Sequence, residues 1–397
     1  MSTQLALFTG ADQRNFLLIG LMLIAPLAAI SIGLPRSRRG AVALTVPIAM
    51  MTRAAVTDET AAWSSVLYTT LFVMSFAICL GCLDTGQVTR DACRRALWLL
   101  IFAYAVVSVL QAAADLTGLP VPNQILSKGS WSYNSLAAEP SHVARILPMA
   151  LLTYFQLGEA GADAPATWGR VFIRDGRLLL AFMVAMYLSG SVLALLLIPL
   201  TLLLVVAKRS GILVLLLVGA IPFVASVNTD SLRAHPELGR LVRLMEAAPE
   251  MDATALAEAD TSGATRLTPV LIYFESLHWD SWEALVGGGH GAMDKLLRGR
   301  IAGMRSDAVT SAGFFPGFAI SYGLIGLVLA LSTWMIQFLR KENLTLVFLW
   351  LVASWASAWN SQTFWFGLLM IAVVWSLRHE VGDAPPRREE GRAACAY

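Results

Sequence analysis

The stretch 136–145, "LAAEPSHVAR", sets a carboxylate, an imidazole and a guanidinium at intervals of three: Glu139, His142 and Arg145. With Pro140 as the first helical residue, that spacing carries all three slowly round one side of the first two turns. Glu139 is the candidate base for a hydroxyl proton, with His142 in reserve. The free amides of a helix start, together with Arg145 and His142, favour an anion. The set therefore holds the parts for moving a proton beside a bound anion. Its rival is an interfacial pair, with Arg145 snorkelling and Glu139 as its partner.

Other residues offer the same chemistry singly. Arg266 lies in "TSGATRLTP" and either grips an anion or pairs with Asp260 on a solvated surface. Arg53 sits one turn from Asp58 and Glu59, where a substrate contact competes with snorkelling. His290, set among glycines in "GGGHG", is a second reserve base or the tip of a mobile lid. His278, Trp279 and Trp282 make either a sugar-stacking platform or a set of interfacial aromatics. Asp58 and Glu59 stand without further ligands and the chain has no Asp-x-Asp motif, so neither a metal nor another cofactor is expected. Cys79 and Cys82 spell C-x-x-C inside an apolar run and read as small packing residues.

The elements that must position these residues are apolar. At 57% hydrophobic, 14% charged and a mean hydropathy of +0.65, the chain has the composition of an all-α polytopic membrane protein. Its basic residues fall in short clusters between apolar runs, which reports topology and excludes a nucleic-acid face. Runs long enough to span about 30 Å of hydrocarbon recur near 16–34, 41–57, 62–83, 96–118, 142–157, 211–227, 312–338, 344–359 and 363–377. The run 178–207 is read as two helices turning at Ser189, Gly190 and Ser191, because only then do the arginine clusters share one face. Those clusters are Arg36, Arg38 and Arg39; Arg90, Arg94 and Arg95; Arg170, Arg174 and Arg177; Lys208 and Arg209; Arg340 and Lys341; and the tail. The expectation is about eleven transmembrane helices, N-terminus outside and C-terminus inside.

In that scheme residues 1–227 hold helices one to eight, with an outer Glu-Pro-Ser loop near 120–141. Residues 228–311 form a large helical outer loop, 312–378 the last three helices, and 379–397 a disordered cytoplasmic tail. The start of the chain lacks the basic region of a cleavable signal. Within the large loop, "PELGRLVRLMEAA" has amphipathic spacing, "RLTPVLIYFESLHWDSW" reads as a helix with Thr268 as cap and Pro269 at its first position, and "MDKLLRGRIAGM" as a third. The glycines before His290 read as flexible backbone. No internal repeat is visible in the sequence.

The segment "LAAEPSHVA", the later "SGATR" and "GGGHG" within one large outer loop, and the following "SYGLIGLVLAL" resemble, in that order, bacterial O-antigen and exopolysaccharide polymerases of the O-antigen polymerase and ligase superfamily. The resemblance spans residues 60 to 375. It implies a metal-independent membrane glycosyltransferase that joins polyprenyl-diphosphate-linked oligosaccharide repeat units at the periplasmic face of the bacterial inner membrane. A chain-length regulator and a flippase follow as further partners, beside the lipid bilayer. Arg145, Arg266 and Arg53 are then the candidates for holding the diphosphate, because a guanidinium fork fits phosphate oxygens bidentately. Glu139 is the candidate base, with His142 or His290 behind it. The ligase branch carries a histidine just before the helix that follows the large loop. Here that region reads "GMRSDAVTSAGFFPGF", which favours polymerase, with His290 or His278 as stand-ins for a ligase. Two other classes stay open: a transporter of lipid-linked glycans and a non-catalytic subunit of an export complex.

Overall fold

The computed structural model describes residues 37–56, 63–121, 132–137, 139–159, 168–207, 261–278, 281–289, 292–297, 313–354 and 357–383, with scattered positions elsewhere. All regular structure among them is helical. In chain order the α-helices are α1 (Arg38–Ala43), α2 (Thr45–Val56), α3 (Trp63–Asp84), α4 (Arg90–Thr117), α5 (Pro140–Glu159), α6 (Trp168–Leu188), α7 (Val192–Ala207), α8 (Thr261–Ser276), α9 (Trp282–Val286), α10 (Ala292–Leu297), α11 (Gly317–Trp334), α12 (Leu344–Ser354) and α13 (Gln362–Asp383).

Three helical segments among the described residues are long and apolar enough to cross a membrane: Val66–Asp84, Arg90–Thr117 and Gly317–Phe338. Val192–Val205 and Gln362–Arg378 are shorter apolar helices. Exposed Leu99, Val106, Leu110, Ile325 and Val328 line the outside of the long ones, as contact with lipid requires. The apolar run 178–207 is broken where its small residues predicted: α6 ends at Leu188, Gly190 takes φ +54°, and α7 begins at Val192. The run at 41–57 is also interrupted, at Leu44 between α1 and α2.

Helix α5 is buried along almost its whole length and packs against α4, α6, α7, α12 and α13, so the helix that starts at the Glu-Pro-Ser motif is the hub of the bundle. Around α11, α12 and α13 the core is aromatic. Trp334 meets Trp365 edge-on at 4.8 Å, Phe314 lies 4.8 Å from Phe364, and Gly367 leaves room for the Trp350 indole. An unpaired indole N–H is costly in such surroundings, and three of them find main-chain carbonyls. Trp334 donates to Ala43 at the α1–α2 break, Trp350 to Phe364 and Trp365 to Trp359. The Ala43 bond ties an interrupted helix to α11 through a carbonyl next to the break.

Two of the clustered arginines meet at one place. Arg94 at the start of α4 stacks over Tyr154 near the end of α5, and the Tyr154 hydroxyl donates to Asp175, which Arg174 also binds at 2.8 Å. Asp115 and the Glu139 motif lie at the opposite ends of α4 and α5.

Candidate functional site

Two constructions carry the chemistry-bearing residues, and both rest on backbone that is neither helix nor strand. The first is the loop Ser132–Ala137, which delivers the chain to Glu139 and α5. Sequence reading passed over "SYNSLA" on its way to the charged residues, yet this loop is buried and bonded on every side. The Ser135 N–H donates to Gln111 Oε1 at 2.7 Å, its Oγ donates to the Tyr104 carbonyl at 2.7 Å, and its own carbonyl accepts from Asn123 Nδ2 at 2.7 Å. Asn134 Nδ2 donates to the carbonyls of Asn123 and Ala137, while Gln111 Nε2 reaches Asn134 Oδ1. Tyr133 donates its hydroxyl to Asp115 at 2.7 Å and its N–H to the Leu188 carbonyl at the α6–α7 break. Asn123 and Ser135 both take positive φ, +55° and +51°, which costs non-glycine residues energy and persists only where the surroundings over-determine it. Here they do.

The helix that follows begins at Pro140, as its ring requires, and carries Glu139, His142 and Arg145 on its entry. Glu139 is half-buried and accepts from Ser141 Oγ at 3.2 Å. His142 is half-buried and Arg145 is buried to 5% exposure. A guanidinium this deep is not snorkelling to solvent, so the interfacial reading of Arg145 is set aside. Buried charge in an apolar bundle is expensive, and where it persists it marks function more often than packing.

The second construction is an interlock between the large loop and a broken helix. Inside α11, Gly323 departs from helical geometry with φ +68° and ψ −177°. That break lets carbonyls on its N-terminal side face outward, and a glycine run answers them: the Gly288 N–H donates to Ile320 and the Gly289 N–H to Ser321. Gly287 (φ +77°) and Gly323 press backbone against backbone. A Cβ on Gly287 would fall on the Ser321 carbonyl, and one on Gly323 on the Leu285 carbonyl. Arg53 at the end of α2 closes the junction, Nη2 donating to the Gly287 carbonyl at 2.7 Å.

This corrects two expectations. The glycines before His290 are not slack backbone but a close-packed ribbon, chosen because only glycine fits between two main chains. Thr268 and Pro269 do not open a helix, because α8 starts at Thr261 and Pro269 lies inside it. Its missing N–H costs one rung, which nearby helix tolerates where the turn is otherwise packed: Thr268 and Pro269 are both buried. Arg266 therefore lies on the body of α8 and not at its start; its side chain is outside the described residues, as is the whole of His290. Near the amphipathic stretch 236–248, the described positions are helical.

Beside the interlock lies a cavity of about 180 Å³ whose floor is Ala319 and Ile320 of α11 and whose walls carry Tyr273, His278, Ser281 and Glu283. Burial pushes the Tyr273 phenol up from its ordinary value, which keeps it protonated at neutral pH. Trp282, 71% exposed, stands next to Ser281 in the chain. Among the described residues no group of His, Cys, Asp and Glu has the arrangement of a metal site.

Comparison with protein-family models, with curated proteins and with solved structures yields no match. What can be said of function therefore stands on these residues alone.

Proposed function

We propose that the chain is a membrane glycosyltransferase that polymerises polyprenyl-diphosphate-linked oligosaccharides, with about eleven membrane spans and its site on the periplasmic face of the bacterial inner membrane. The observation that carries the proposal is the Glu139–Arg145 entry of α5, a carboxylate and a buried guanidinium at the start of the helix that follows the bonded loop Ser132–Ala137. In the reaction an acceptor-sugar hydroxyl attacks the anomeric carbon of the donor. The bond from that carbon to the lipid diphosphate breaks, the hydroxyl proton passes to Glu139, and Arg145 receives the charge that gathers on the departing diphosphate. Arg53 stays the third candidate contact for the diphosphate, and its Nη2 also bonds the Gly287 carbonyl of the glycine ribbon beside the cavity. Arg266 remains a second contact for the diphosphate, and His142 or His290 a reserve base.

The test is purified protein supplied with a lipid-linked repeat unit. A ladder of longer lipid-linked products is the expected result; a single addition to a different lipid or protein acceptor indicates ligase-type transfer.

A second reading, transport of lipid-linked glycans, is favoured by one observation, the discontinuity of α11 at Gly323, since transporters build substrate sites from broken helices. Movement of a labelled lipid-linked glycan between leaflets of proteoliposomes, with no change in its length, decides for that reading.

A further inference from the structure

Three apolar segments end together. Val66–Asp84, Gly317–Phe338 and Gln362–Arg378 bring Asp84, Arg340 and Trp375 to one end of the bundle, where Arg39 joins them from α1. The Arg39 guanidinium lies 3.5 Å from the centre of the Trp375 ring and Arg340 stands 5.2 Å from the same centre. Asp84 is the carboxylate within ion-pair distance of Arg39 among the described residues, at 3.5 Å, and it also accepts from Ser37 at 2.7 Å. Burial lowers the Arg39 pKa; Asp84 opposes that and Arg340 adds to it, so the two guanidiniums repel beside one indole. Exposed Arg38 and Lys341 add two further positive charges at the rim, against one negative charge from exposed Glu342. Nothing in this arrangement is needed for the transfer chemistry.

Like charges drawn onto one ring, with Asp84 the carboxylate paired to Arg39 among the described residues, leave an excess of positive charge at the end of the bundle where the three apolar segments stop. We infer that Arg39 and Arg340, braced on Trp375, form a binding site for a phosphodiester anion, the headgroup of an anionic phospholipid in the leaflet at this end of the bundle. The indole supplies a flat support that orients both forks, and a phosphodiester offers oxygens for each. Basic pockets between spanning helices take anionic headgroups in this way. The site does not depend on the polymerase reading.

The test uses the full chain in nanodiscs of phosphatidylcholine doped with phosphatidylglycerol, with retained lipid counted by native mass spectrometry. Arg39→Gln or Arg340→Gln is expected to weaken retention about fivefold each, and the pair about thirtyfold, while Arg38→Gln at the exposed rim changes it less than twofold. Trp375→Phe, which keeps a ring in place, is expected to fall between. Thermal unfolding in pure phosphatidylcholine checks that each variant is folded; where the double variant is not, the single variants and Arg39→Lys carry the measurement. Equal retention by wild type and the arginine variants overturns the site. Displacement of the lipid by low millimolar inorganic phosphate overturns the assignment to lipid and leaves the anion in solution as the ligand.

Discussion

The loop Ser132–Ala137 and the ribbon Gly287–Gly289 both hold irregular backbone inside a helical bundle, but by opposite means. The first is held by side chains: a glutamine, two asparagines, two serines and a tyrosine bond one another and the main chain around them. The second is held by main chain against main chain, with the Arg53 guanidinium bonding one carbonyl of the ribbon. Side-chain bonding is graded, since each bond contributes about 1 kcal/mol and can be lost singly. Backbone interlocking is all or nothing, since the smallest side chain opens it. The difference teaches where substitution should bend the protein and where it should break it.

The largest effect is expected at the interlock. Gly323→Ala and Gly287→Ala each place a methyl on a carbonyl and force a positive φ on a residue that resists it, so loss of more than about 3 kcal/mol is expected. Thermal unfolding in detergent checks this; if either variant melts with wild type, the two main chains do not press together as described. Next comes the chemistry that the polar loop positions. Glu139→Gln should lower turnover by about two to four orders of magnitude with the melting temperature unchanged, and Arg145→Lys should restore little of what Arg145→Ala removes. A stable, active Glu139→Gln beside a dead His142→Ala would move the base to histidine.

Within the polar loop, Gln111→Leu strips partners from Ser135 and Asn134 at once and should cost about 2–4 kcal/mol. Ser135→Gly keeps the positive φ and gives up one hydroxyl bond, so it should cost about 1 kcal/mol. If both cost the same, the loop is held by shape and not by its bonds. Arg53→Gln is smaller again for a folded protein, about 1–2 kcal/mol for one charge-assisted bond, and protease nicking near residue 287 should rise before activity falls.

Much of this was readable from residue types, for reasons that differ by element. Pro140 announced its helix because its fixed φ and missing N–H suit a first helical position, and the break at 189–191 was read from small residues together with the need to bring the arginine clusters to one face. The polar loop stayed hidden: its residues are ordinary turn formers, and only the distant partners Gln111 and Tyr104 reveal that they are buried. The glycine ribbon was seen but misread, because freedom in an unfolded chain and tightness in a folded one leave the same residue in the sequence. What distinguishes them is Gly323, 34 positions after Gly289 in the chain, and no local pattern joins the two. Thr268–Pro269 misled for a similar reason, a helix-start signal overruled by the burial of the turn around it.

The seating of the Gly287–Gly289 ribbon in the cleft of α11 also sets a rule for grafting. A loop that merely hangs between two helices can be exchanged for a relative's and its specificity moves with it. This one cannot travel alone, because part of its seat lies beyond its own C-terminal boundary. A chimera that swaps residues 228–311 would put a foreign strand of backbone against Ile320, Ser321 and Gly323, whereas one cut after residue 326 carries lock and key together.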